Sequence, residues 1–355
     1  MDAFKNHFQN KIEKNKINNI QVILNNYSQD EQKGMVIFFI NNDKNISLLN
    51  NNNNNTIKIN ENFFIKKRMN KQLSIDCGRI LGILYNFYEF NNKAIFDISN
   101  INKINDKLMK NGVNIYENKL SDEYIENLLD HLNHKTYISH TQKKVYPNHD
   151  IFSYKEGILW IKNQNEIINN IFIKNLITDH FILNVVQNYL GCKPILSQVN
   201  FWVSNKAPLD NTQKFHQDRD DIRFIKVFIY LNDVSLKNGA HYYVKGSLNN
   251  LKFPSNSYNV SNRIEDNFIN NNYKDNVIQI EGKKGSIIFE DTSGFHKGSE
   301  VKEGHRFMLQ LQYVASTQYY TNQMSLYGEK FKLSKEIYKD VYEKYPHLFL
   351  FGNLI

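Results

Sequence analysis

The period of the hydrophobic positions changes along the chain. Tyr124, Ile125, Leu128, Leu129 and Leu132 recur at helical spacing. They follow Ser121, a candidate N-cap with acidic residues behind it, so a helix is expected to start there. Residues 165–191 predict one or two further helices ending at Gly191, a plausible C-cap. Upstream, residues 1–20 are polar and weakly helical, Val36–Ile40 is a short buried strand or helix segment, and residues 72–98 hold helical stretches with aromatics. Asn50–Asn55 is an uninterrupted asparagine run, expected to be a loop tip. After Pro194 the pattern becomes that of strands: Ile195–Ser204 alternates, and Phe224–Leu231 is continuously apolar except for Lys226. Ala240–Val244, Val277–Ile280, Ser286–Phe289 and Phe307–Val314 follow, separated by loops rich in Asn, Gly, Ser and Asp. A short strand at Val113–Tyr116 precedes the first strong helix, and an amphipathic helix around Leu333–Tyr345 follows the last strand. Many short strands after a block of helices predict an α+β fold, an antiparallel barrel or sandwich with helices packed outside.

At 355 residues the chain exceeds the usual single-domain length, and the change in composition places a boundary near residue 104. Residues 1–104 are expected to form an Asn-rich, mainly helical extension, and residues 105–355 the main domain. Two cysteines, Cys77 and Cys192, exclude a disulfide framework and a four-cysteine zinc site, and fit a reducing, cytoplasmic location. The longest apolar run, Ile80–Phe90, is interrupted by Tyr85, Asn86, Tyr88 and Glu89 and is too short to span a bilayer. The start of the chain shows no apolar leader. The net charge is +8, but the basic residues are dispersed, and 55 asparagines point to a biased composition and not to a nucleic-acid partner.

The chemistry concentrates in two places. His216 and Asp218 stand two residues apart, so on a strand both side chains share a face. Alone such a pair is commonplace in solvated loops. His296 follows the strand at Ser286–Phe289, and Arg306 comes ten residues later at the start of the last apolar strand. Two imidazoles and one carboxylate with open positions form the facial triad of non-haem Fe(II) oxygenases. A buried arginine on a neighbouring strand suits bidentate pairing with a carboxylate.

Residues 214–247, KFHQDRDDIRFIKVFIYLNDVSLKNGAHYYVKGS, resemble the phytanoyl-CoA dioxygenase family in their His-x-Asp, apolar strand, Leu-x-Asp-Val turn, Asn-Gly and closing Gly-Ser. Residues 282–313 resemble its second half, with Gly-Ser before a strand, the distal His and the later Arg. The resemblance spans about 105–316 and leaves residues 1–100 outside. It implies a double-stranded β-helix, a jelly-roll barrel, with Fe(II) as metal, 2-oxoglutarate as co-substrate and molecular oxygen as reactant. It further implies that His216, Asp218 and His296 ligate iron and that Arg306 holds the far carboxylate of 2-oxoglutarate. The family often carries Ser two residues after the distal His. Here that position is Gly298, and Ser299 follows. The chain also has Leu248 where the family often has His. Asp218 distinguishes the chain from halogenase variants, in which a small residue vacates this position.

Lys226 lies in a strand apolar on both faces, so it needs either an anion, for which a co-substrate carboxylate would serve, or an edge position from which it snorkels to water. Gln198, Asn200 and Trp202 share one strand face, where family members use polar residues for 2-oxoglutarate; satisfied core polarity is the competing explanation. Arg219, Asp220, Asp221 and Arg223 read as a solvated turn. His241 is set aside for lack of a carboxylate neighbour, His305 because it alternates away from Arg306, and His131, His134 and His140 as a polar helix end. The expected activity is hydroxylation of a small molecule. The alternatives are a non-catalytic barrel acting as an interaction module, and a nucleic-acid demethylase using the same iron site.

Overall fold

A computed structural model describes residues 1–50, 71–90, 94–96, 99–116, 120–139, 143–153, 157–206, 214–249, 263–317 and 330–355. The asparagine run beyond Asn50, and His140, lie outside these residues.

The strands are β1 (Val113–Tyr116), β2 (Tyr137–Ser139), β3 (Val145–Tyr146), β4 (Ile158–Ile161), β5 (Ile195–Asn205), β6 (Phe224–Tyr230), β7 (Tyr242–Val244), β8 (Val277–Gln279), β9 (Ile287–Glu290), β10 (His296–Lys297), β11 (His305–Val314), β12 (Phe331–Leu333) and β13 (Gly352–Leu354). Eight of them form an antiparallel sheet in the order β1-β9-β6-β11-β5-β4-β2-β3. A smaller antiparallel sheet, β10-β7-β8, is extended by two bridges, His216 to His296 and Phe215 to Ile264. Val113, Phe228, Tyr230, Ala240, Tyr243, Ile280, Ile288 and Met308 join the two sheets in one buried cluster. This is the predicted jelly-roll, an α+β architecture with helices on the outer face of the large sheet.

Side-chain parity on β5 explains which face meets what. Val199, Phe201 and Val203 are fully buried in the core shared with the helices. Gln198, Asn200 and Trp202 point inward and are only half-buried on a central strand, so the interior between the sheets is not filled.

Local sequence accounts for the helices. Ser121 accepts a hydrogen bond from the Tyr124 amide and caps the helix Asp122–Leu132, as expected. Residues 165–191 form three helices, Gln164–Ile168, Ile171–Ile177 and His180–Leu190, the last ending at Gly191 in the left-handed conformation. The side chains of Asn163, Asn170 and Asp179 cap them. Two of these caps are asparagines, which an asparagine-rich sequence hides. Val36–Ile40 belongs to a helix, Gln29–Asn50. Ser28 and Glu31 form a reciprocal capping box at its start, Ser28 N donating to Glu31 at 3.0 Å and Glu31 N donating to Ser28 Oγ at 3.4 Å. Met35, Val36, Phe38 and Phe39 bury its apolar side.

The helices before residue 86 share one core with the strands. Phe4, Phe39 and Leu81 belong to the same buried cluster as Val199 and Leu311. Gly78 and Gly82 of the helix Lys71–Tyr85 lie against the end of the helix His180–Leu190. A Cβ on Gly78 would stand 2.1 Å from the Leu190 carbonyl oxygen, and one on Gly82 would stand 2.3 Å from that of Gly191. Only glycine allows this approach. Ser74 Oγ donates to the Ile222 carbonyl at 2.7 Å, in the loop that follows the candidate metal pair.

Candidate metal centre

The two histidines are brought together by backbone pairing. His216 N donates to His296 O at 2.9 Å and His296 N donates to His216 O at 3.0 Å. Residues opposite each other in an antiparallel pair share a face. The rings therefore lie side by side, centroids 4.2 Å apart. Asp218, two residues on, is pinned by its amide to the Thr292 carbonyl at 2.8 Å. Its oxygens lie 3.8 Å from His216 Nε2 and 3.5 Å from His296 Nε2. One ligand atom from each of the three residues falls within 4.8 Å of the others.

The tautomers are set by carbonyls. His216 Nδ1 lies 2.9 Å from Lys214 O, and His296 Nδ1 lies 3.0 Å from Gly294 O. A carbonyl oxygen only accepts, so each Nδ1 carries hydrogen and each Nε2 lone pair faces the shared centre. Burial, with His296 beside it, lowers the His216 pKa to about 3, which keeps that ring neutral. Burial acts to lower His296 as well, but the Asp218 carboxylate outweighs it and its pKa is raised. Burial alone would raise Asp218; Lys226 and the two histidines hold it well below the ordinary value, as a carboxylate. With Nε2 of both rings deprotonated, as metal binding requires, two imidazoles and a carboxylate form a donor set suited to a divalent first-row metal.

Lys226 is buried at 9% exposure on β6, which lies between β9 and β11. It is therefore not an edge lysine. It does have the anion its burial requires, but from the protein itself: its Nζ donates to Asp218 at 2.5 Å and lies 3.5 Å from Asp220. Burial opposes its charge, yet Asp218 and Asp220 raise its pKa above the ordinary lysine value. Asp220 is thus part of the site's charge balance and not only of a solvated turn.

Arg306 is buried. Its Nη1 donates to the Gly239 carbonyl and its Nη2 to Ser204 Oγ at 3.2 Å, while Nε has no partner among the described residues. Among the described residues it makes no ion pair: Glu290 joins His241 through Oε2 at 2.6 Å, with Oε1 left unpartnered, and Asp291 accepts from the Tyr189 hydroxyl. Burial lowers its pKa. A guanidinium desolvated without a counter-ion is costly, and a bound carboxylate would relieve it. Ser299 approaches the same turn, its Oγ donating to Ala240 O at 2.7 Å.

Gln198 and Asn200 face inward as parity predicts. Gln198 Oε1 accepts from Asn200 at 3.0 Å and from Gln310 at 3.3 Å. The strand register sets Gln198 opposite Gln312, Gln312 opposite Lys226, and Lys226 opposite Glu290, a polar row across the inner face. Gln312 is fully buried and, among the described residues, neither of its amide atoms has a partner. Gln310, Gln312 and Glu290 were missed in the sequence; they lie in apolar strands, and their inward parity with Gln198 and Lys226 was the available signal. His241 is a correction. It has a carboxylate neighbour, Glu290, which β9 supplies from 49 residues away. His131 is also not a solvent residue: it is half-buried, 3.2 Å from the Ile167 carbonyl, and burial lowers its pKa.

Asp221 gives a separate test of this loop. It is buried against Ser316, which contacts it through its amide at 2.7 Å and its hydroxyl at 2.5 Å. Burial pushes its pKa up to about 7 from an ordinary 3.8. The folded state then holds this proton more tightly than the unfolded one. Its contribution to stability is full below pH 3.8, falls as pH rises toward 7, and is level above that. Asp221→Asn should flatten that slope and raise stability at pH 8 by on the order of 2–4 kcal/mol. Thermal melts of both proteins from pH 4 to pH 8 check it; parallel curves would count against a protonated Asp221.

The chain matches no protein-family model and no curated protein sequence. Solved structures that resemble it include the α-ketoglutarate-dependent epimerase SnoN of nogalamycin biosynthesis (13% identity, 61% of this chain and 84% of that one, TM-score 0.45). Others are HygX from Streptomyces hygroscopicus with nickel and 2-oxoglutarate bound (14%, 59% and 85%, 0.42) and EctD from S. alaskensis (13%, 64% and 80%, 0.44). At these values the likeness carries no chemistry over to this chain. No helix among the described residues is long and apolar enough to cross a membrane.

Proposed function

We propose that the chain is a non-haem Fe(II)- and 2-oxoglutarate-dependent oxygenase that hydroxylates a small molecule in the cytoplasm. The observation that carries this is the convergence of His216, Asp218 and His296, whose ligand atoms lie within 4.8 Å of one another. The unpaired, buried Arg306 fits the far carboxylate of 2-oxoglutarate, and the two sequence blocks that resemble the phytanoyl-CoA dioxygenase family contain all four residues. Iron with 2-oxoglutarate and molecular oxygen supplies an oxidant able to take hydrogen from an unactivated carbon.

The protein's own contribution is placement and charge. His216, Asp218 and His296 would hold the metal as two imidazoles and one carboxylate. Arg306 orients the co-substrate. Lys226 balances Asp218 and Asp220 in a poorly solvated setting. Gln198, Asn200 and Gln310 present amides to the half-filled interior, and Trp202, Phe228 and Met308 line the same face with apolar surface that limits water. Residues 105–355 carry every one of these groups, and we place the domain boundary at residue 104. A non-catalytic barrel would have no use for a preorganised triad with an unpaired arginine behind it.

The test is anaerobic addition of Fe(II) and then 2-oxoglutarate, read by the visible charge-transfer absorption of the chelate. Oxygen is then admitted with a metabolite extract and succinate release is measured. Both signals are expected, and both should vanish in His296→Ala. A wild-type protein that binds Fe(II) but gives no 2-oxoglutarate-dependent absorption would overturn the assignment.

A further inference from the structure

We infer that Arg263 binds an oxyanion group, carboxylate or phosphate, of the primary substrate beside the metal position, so that the substrate is anionic. The inference deepens the oxygenase reading and rests on it.

The placement follows from strand register. Ile264 pairs with Phe215 in an antiparallel bridge, and Ile264 N donates to Phe215 O at 2.8 Å. The next position sets Arg263 opposite His216. Phe215 and Ile264 turn to an outer apolar cluster with Val244 and Phe295. Their neighbours Arg263 and His216 therefore turn to the other face, where the triad lies. The bridge from His216 to His296 continues the row, giving Arg263, His216 and His296 across one face.

What distinguishes Arg263 is that, among the described residues, no anion pairs with it. Around it, Lys214 pairs with Glu265 at 3.2 Å, Lys297 with Asp266 at 2.7 Å, and Lys226 with Asp218 at 2.5 Å. Arg263 is half-buried and, among the described residues, makes no ion pair or side-chain hydrogen bond. Glu265 and Asp266, which follow it in the chain, and Asp218, two residues beyond His216, are each paired with a lysine. Arg306 has the same need but lies inside the barrel, behind the position where the co-substrate would lie. Arg263 lies at the edge of the triad row, where a substrate would approach. A planar guanidinium selects carboxylate or phosphate by two parallel hydrogen bonds.

The test uses Mn(II) in place of Fe(II), saturating 2-oxoglutarate so that Arg306 is occupied, and inorganic phosphate as probe. Paramagnetic relaxation of the phosphate 31P signal reports binding near the metal without turnover. In the wild type the enhancement should saturate. Arg263→Ala should weaken phosphate by about tenfold or more, the scale of one charge-assisted pair, and Arg263→Lys should recover part of it. Affinities for Mn(II) and 2-oxoglutarate should be unchanged in both variants. Phosphate relaxation that is absent from the wild type, or equal in wild type and Arg263→Ala, overturns the proposal while leaving the oxygenase reading intact. Failure of the wild type to bind Mn(II) sinks the metal site itself, and the proposal with it.

Discussion

Arg306→Ala is expected to lower the affinity for 2-oxoglutarate by roughly two to four decades while leaving metal binding intact. The guanidinium is buried and its Nε is unpartnered, so the free protein already bears the desolvation cost that a carboxylate would offset. Removing it leaves the co-substrate's far carboxylate in the same dry setting without a cation, which costs on the order of 3–5 kcal/mol. The free protein, by contrast, should lose little stability, because Arg306 makes no ion pair with Glu290 or Asp291. Arg306→Lys should rescue only part, since one ammonium cannot reproduce two parallel hydrogen bonds. Titration of 2-oxoglutarate into the anaerobic Fe(II) protein, with a thermal melt of each variant, decides it. Unchanged affinity together with a large drop in melting temperature would make Arg306 a structural residue.

The second large effect concerns Asp218, which is both a candidate metal ligand and the counter-ion of a buried lysine. Asp218→Ala should abolish metal binding. In the metal-free protein it should also destabilise the fold by up to about 3–5 kcal/mol, because Lys226 is left buried without its nearest anion. Asp220, 3.5 Å away, reduces that cost. The discriminating variant is Lys226→Met in the Asp218→Ala background. It removes the stranded charge and should recover most of the lost stability without restoring metal binding. His296→Ala should abolish metal binding with a much smaller effect on the apo melt. If Asp218→Ala and His296→Ala destabilise the apo protein equally, the lysine is not what makes Asp218 structurally important.

Features carried by local spacing were legible in the sequence. The His-x-Asp spacing of His216 and Asp218, the apolar run of β6 and the alternation of β5 need no tertiary information, and the two strands stand where expected. The triad needed one distant residue, His296, and order along the chain was enough to name it. What the sequence could not show was which long-range partner each polar residue takes. Lys226 was left between an anion, such as a co-substrate carboxylate, and an edge position; in the fold its ammonium meets Asp218, eight residues earlier. His241 looked isolated because its partner Glu290 comes from another strand. Arg263 carried no signal at all: its relation to His216 exists only through an isolated bridge, and no periodicity in the sequence announces one.

Both imidazoles are aimed by main-chain carbonyls two residues upstream, those of Lys214 and Gly294, and not by side chains. The aim of the two Nε2 atoms is therefore insulated from substitution nearby, because no residue exchange can delete a carbonyl. The surrounding loops can diversify, and substrate preference can drift with them, while ring orientation is inherited through backbone shape. The same arrangement makes the centre brittle to insertions and deletions. One residue added between Lys214 and His216, or between Gly294 and His296, would turn a ring away and break the reciprocal bridge, however harmless the added residue.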